Sequence, residues 1–187
     1  MAFVAEDGTG LATATSLVSV ATTDTYWADR GGADNTTWVA ATTASKQAAL
    51  IKATDYVRHA RRYRWLGTRK SYAQTMPWPR TGVTERDGLA VADTIVPWQV
   101  QQAVASLAVR ALTEDLLPDL ERGGHITSET VGPLSVTYGD GAPLGSVIQR
   151  VDGLVAPLLR LPLIEASPYL KQPTIPAGYV EKEFTYS

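Results

Sequence analysis

Seven of the chain's 17 basic residues fall in one interval free of Asp and Glu: Arg58, Arg61, Arg62, Arg64, Arg69, Lys70 and Arg80 all lie between Asp55 and Glu85. Guanidinium and ammonium groups at this density can neutralise phosphates, and Trp65 and Tyr72 in the same run could offer faces to unstacked bases. The rest of the chain then carries 10 cations against 19 anions, so a formal net charge of −2 conceals a sharp segregation of charge. A face of this kind takes either a nucleic acid or the carboxylates of a neighbouring protein surface. The sequence pI of about 5.7 is far below that of a dedicated DNA-binding domain, which weighs toward the second.

Catalytic chemistry is poorly provided for. The 187 residues include no cysteine, which removes disulfides, thiolate metal sites and cysteine nucleophiles together. The two histidines, His59 and His125, are not at helical spacing, and neither accompanies a G-x-S-x-G nucleophile turn. Glu85, Asp87 and Asp93 read as turn and cap residues, and the paired glycines at 8, 10, 31, 32, 123, 124, 139 and 141 lack the Lys-Ser or βαβ setting of a phosphate loop. No catalytic residue, metal or cofactor is expected. Nor is a membrane partner, since no stretch approaches the ~20 apolar residues of a membrane helix and the first residues lack the basic-then-apolar order of a secretory signal.

The elements that would carry the basic run are mostly helical. Ser19 is a candidate N-cap for a helix ending at Arg30, where Gly31-Gly32 supplies a left-handed stop, and a short helix near Trp38 follows. Over residues 45–65, Leu50, Ala53, Val57 and Ala60 share one helical face, while Arg58, Arg61 and Arg62 share a separate wedge beside Trp65, with Gly67 closing the helix. Trp78 between Pro77 and Pro79 predicts a stiff extended strut, because both neighbours have φ fixed near −65°. Pro97 opens the clearest helix, in which Val100, Ala103, Val104, Leu107, Ala108 and Ala111 keep the i, i+3, i+4 rule until Pro118. Residues 126–131 and 134–138 flank Gly132-Pro133 as a hairpin, and Ser146 caps a last helix through Val147, Val151, Leu154 and Leu158. The tryptophans at 27, 38, 65, 78 and 98 are expected to plug the core.

The fold class predicted is therefore mainly α: a small bundle of four to five helices with a short β-hairpin at about residues 126–138, occupying residues 1–160, and an extended arm over residues 161–187. The arm carries Pro162, Pro168, Pro173 and Pro176 interleaved with Leu163, Ile164, Tyr169, Leu170, Ile175, Tyr179, Val180, Phe184 and Tyr186. Prolines at that spacing forbid a helix, and the apolar residues need cover, so this segment is expected to lie along a surface, as a partner-binding arm.

The segments FVAEDGTGLATATSLVSV and AALIKATDYV, then Trp65-Leu66-Gly67, PWPRTGV, Asp87-Gly88, the proline-started helix and ETVGPLSVTY occur here in an order that resembles the head-tail connector, or adaptor, proteins of tailed phages and prophages. Many of those carry the label DnaT-like single-stranded-DNA-binding protein. The resemblance covers about residues 1–160. It implies a structural virion subunit, made in the host cytoplasm, that forms a dodecameric homo-oligomeric ring between the portal protein and a stopper or tail-completion protein, with genomic DNA passing non-specifically through the bore. The alternative is a single-stranded-DNA-binding protein using the basic aromatic patch at residues 58–80.

Overall fold

The computed structural model describes residues 2–60, 64–117, 128–131, 134–137 and 148–160. Among the described residues five α-helices carry the fold: α1 Val20–Arg30, α2 Gly32–Ala40, α3 Thr43–Ala60, α4 Trp98–Ala111 and α5 Gln149–Val155, the last running into a 3-10 turn, Ala156–Leu158. Three two-stranded antiparallel pairs among those residues accompany them. Strand β1 (Thr68–Arg69) pairs with β2 (Arg80–Thr81), β3 (Val83–Thr84) with β4 (Ala90–Val91), and β5 (Ser128–Val131) with β6 (Leu134–Thr137). The fold is thus mainly α with a minor β component.

Helices α3 and α4 form the central pair. Their buried faces alternate large and small side chains: Leu50, Ala53 and Val57 on α3 meet Val100, Ala103, Val104, Leu107 and Ala108 on α4, all essentially inaccessible to water. The alanines let the two backbones approach closely, and the branched side chains fill the space between them. Helix α5 also packs on α4, with Val151 and Val155 buried. Helix α1 is tied to α4 by Trp27, whose indole N–H donates to the Ala105 carbonyl at 3.2 Å, and by a 2.6 Å bond between the Tyr26 and Ser106 hydroxyls.

Local signals explain the helix ends. The Ser19 hydroxyl accepts from the Thr22 N–H at 3.0 Å, and Gly31, at φ +60°, donates to the Trp27 carbonyl, so α1 begins and ends where its caps predict. Gly32 does not stop the chain; it starts α2, which buries Trp38 against Asp24 and Lys46. Pro97 is the N-cap rather than the first residue of α4, and α4 ends at Ala111, well before Pro118, when Leu112 closes it with a tighter turn. The β5–β6 hairpin places Val131 opposite Leu134. Ser146 and residues 161–187 lie outside the described residues.

The expected α3 is too long at its C-terminus. The described helix stops at Ala60, and Trp65 stands in an antiparallel bridge with Leu159. Gly67 closes no helix: at φ +62° it turns the chain into β1, packed so tightly that an added Cβ would lie 2.3 Å from the Thr81 carbonyl oxygen and 2.7 Å from the Val83 side chain. Gly82 has a similar φ of +66° but open space around it. Gly82→Ala should therefore cost about 1–2 kcal/mol, the left-handed backbone penalty alone, and Gly67→Ala clearly more. Urea unfolding of both variants reads the difference, which equal losses would refute.

Candidate functional site

The groove that gathers the basic residues is built from chain segments far apart in sequence. The loop before Trp78 is organised by Gln74, a buried amide that donates to the carbonyls of Met76 (2.9 Å) and Pro79 (3.0 Å) and accepts from the Ser71 N–H at 2.8 Å. Trp78 is completely buried and meets Trp65 edge to face, with ring centroids 5.7 Å apart. The expected strut is bent rather than extended: the chain bends at residues 75–77 and at Pro79, and the Trp78–Pro79 peptide is cis. It delivers Arg80 to β2, directly opposite Arg69 on β1.

Arg80 has become part of the framework. Its guanidinium donates to the carbonyls of Leu66 (2.6 Å), Gly67 (2.7 Å) and Pro77 (3.2 Å), joining the strut to the turn that leads into β1. Among the described residues no carboxylate pairs with it. Burial pushes this guanidinium below its ordinary pKa, and repulsion from Arg160 and Arg69 adds to the shift. Among the described residues the site thus gathers positive charge without a paired carboxylate.

Arg160 was invisible in the basic run because it sits some eighty residues beyond Arg80 in the chain. Pairing brings it in: Leu66 N–H donates to the Leu158 carbonyl (3.0 Å), Arg160 N–H to the Arg64 carbonyl (2.6 Å), and Trp65 bridges Leu159. Arg58, His59, Arg69, Arg80 and Arg160 consequently line one open groove of about 680 Å³, floored by Trp65, Met76 and Pro77. No Asp or Glu among the described residues lines it. Among the described residues none of these arginines has a carboxylate within ion-pair distance, although ion pairs occur elsewhere, as between Lys46 and Asp24 and between Arg110 and Glu114.

The predicted patch therefore divides. Arg58 and Arg69 converge on the groove with their heads exposed, and Arg69 also donates to the Gln74 carbonyl at 3.2 Å. Arg64 and Lys70 are exposed nearby in sequence without lining it. Arg61 and Arg62 lie outside the described residues, as do the arm residues Leu163, Ile164, Tyr169, Leu170, Ile175, Tyr179, Val180, Phe184 and Tyr186. Of the two aromatics expected to stack on bases, Trp65 is buried at 2% exposure and cannot, whereas Tyr72 is 96% exposed. Among the described residues no group of three His, Asp or Glu side chains could hold a metal ion.

Charge removal should separate these roles. Arg80→Lys keeps the charge but cannot reach three diverging carbonyls, and should lower stability by about 1–3 kcal/mol, whereas Arg64→Ala and Lys70→Ala should stay within about 0.5 kcal/mol. Chemical denaturation checks both; a neutral Arg80→Lys would show that the carbonyl clamp is idle.

A family model described as "Putative DnaT-like ssDNA binding protein" matches residues 1–170. No curated protein and no solved structure matches the chain.

Proposed function

Because the chain belongs to this DnaT-like ssDNA-binding family, we propose that it is a non-enzymatic, DNA-handling structural protein: a head-tail adaptor subunit of a tailed phage. In this reading copies form a closed ring that receives the portal protein on one side and a stopper or tail-completion protein on the other, with genomic DNA passing through the bore. The observation that carries it is the groove of Arg58, Arg69, Arg80 and Arg160, lined by no Asp or Glu among the described residues, on a chain with more acidic than basic residues. Positive charge left unbalanced within a subunit is balanced between subunits when an acidic edge of the next copy meets it, and such a head-to-tail contact closes into a ring at a fixed number of copies. The order of sequence segments shared with adaptor proteins gives the same reading.

A second reading, single-stranded-DNA binding, is favoured by the family description and by Tyr72, fully exposed two residues beyond Lys70. There the same groove would hold phosphates and Tyr72 would stack on a base.

The two readings part on reversal of charge. Arg58→Glu with Arg69→Glu should abolish rings seen by negative-stain imaging of the protein with its portal, while the wild-type protein binds oligonucleotides only weakly at about 0.15 M salt. Tight oligonucleotide binding by a wild-type protein that never assembles would overturn the adaptor reading.

A further inference from the structure

Like charges directly opposite each other destabilise a strand pair, yet Arg69 and Arg80 are partners in the β1–β2 pair. The fold adds a third guanidinium, Arg160, from the segment that follows the 3-10 turn, and Arg58 from the last turn of α3 lines the same groove. Burial lowers the Arg80 pKa, and repulsion from Arg160 and Arg69 lowers it further. Cations from four separate segments are thus held together against their mutual repulsion. An anion bound among them would relieve it.

The donors that remain at this place favour such a ligand. Arg80 donates to its three carbonyls through Nε and once through each Nη, so each Nη keeps one N–H outside those bonds. Arg69 gives a single Nη1 bond to the Gln74 carbonyl. Trp65, which also lines the groove, has a buried indole N–H with no acceptor among the described residues. Buried donors without acceptors are uncommon in folded proteins, and this one belongs to the side chain that floors a cluster of guanidiniums.

The way the cluster is built selects the class of anion. A carboxylate is planar, carries one charge and is satisfied by one guanidinium fork. Here the guanidiniums come from different segments instead of forming one fork. A tetrahedral oxyanion of the phosphate class, with up to about two charges and several strong acceptor oxygens, serves several of them at once.

We infer that Arg69, Arg80 and Arg160 form a binding site for a free phosphate-type oxyanion, filled in the unassembled subunit and emptied when a neighbouring copy presents its carboxylates. Occupancy then regulates assembly, because the neighbour must displace the anion. The inference rests on the proposed self-assembly and adds a ligand and a control to the same groove. The anion also stabilises the lone subunit, since it binds the folded groove and not the unfolded chain.

Inorganic phosphate is the probe, titrated into the full-length protein against sodium chloride of equal ionic strength and followed by phosphorus NMR and thermal melting. Binding should saturate and raise the melting temperature as chloride does not. Arg160→Ala removes one guanidinium but keeps the backbone N–H that pairs with Arg64, and should weaken phosphate at least about tenfold without lowering the melting temperature in chloride. Arg86→Ala, at an exposed position outside the groove, should leave phosphate binding unchanged. Binding that does not saturate, an equal loss in both variants, or no loss in Arg160→Ala would overturn the inference. Displacement of the phosphate by an oligodeoxynucleotide at a lower concentration of phosphate groups would assign the site to nucleic acid and overturn it as well. Imaging the protein with its portal in the two buffers keeps the claims apart. Rings should be fewer in phosphate; rings equally abundant in both refute the regulation alone, and a protein that binds phosphate but forms rings in neither refutes the assembly reading.

Discussion

The Arg80 guanidinium is the contact on which the functional surface depends. Three backbone carbonyls from two loops converge on it, and none of those loops has regular structure long enough to hold itself. A planar fork of five donors suits this task as an ammonium does not. The same contact sets the chemistry, because a cation held by neutral carbonyls keeps its charge, and Arg69 and Arg160 stand close enough to raise the local potential further. The protein fixes the positive site structurally, and no Asp or Glu among the described residues lines it.

The helical core makes that arrangement possible without sharing in it. Packing of α3 on α4 and of α4 on α5 buries a continuous apolar interior and sets the end of α3, with Arg58 and His59, beside the strut that begins at Met76. The bridge of residues 64–66 with 158–160 then closes the groove from the far end of the chain. Burial supplies the stability, and short backbone pairings supply the geometry.

Much of this was legible from sequence where the signal is local. Ser19 and Gly31 bound α1 because capping is decided by a few neighbouring groups, and the spacing of Val100, Val104, Leu107 and Ala111 declares α4 because one face must be apolar. The strand pairs β1–β2 and β3–β4 escaped notice, since two residues per strand are too few to show alternation. Trp65 was placed on a helix because periodicity continues through Tyr63 on paper, whereas its true neighbour, Leu159, is fixed by a pairing between distant segments. For the same reason the basic run revealed Arg58 and Arg69 but not Arg160, and it counted Arg80 as a free cation when the backbone had already claimed it. Trp98 was misjudged for a simpler cause: residue type predicts burial on average, and this tryptophan stays 60% exposed at the first turn of α4 while the other four are buried.

In the proposed assembly another copy of the chain balances the charge of the arginine groove. A side-chain-resolution reconstruction of the protein assembled on its portal tests this most directly. Asp or Glu side chains of the adjacent copy should then lie within ion-pair distance of Arg58, Arg69 or Arg160. A groove open to solvent in the assembled state, or one filled by nucleotide phosphates, would contradict it.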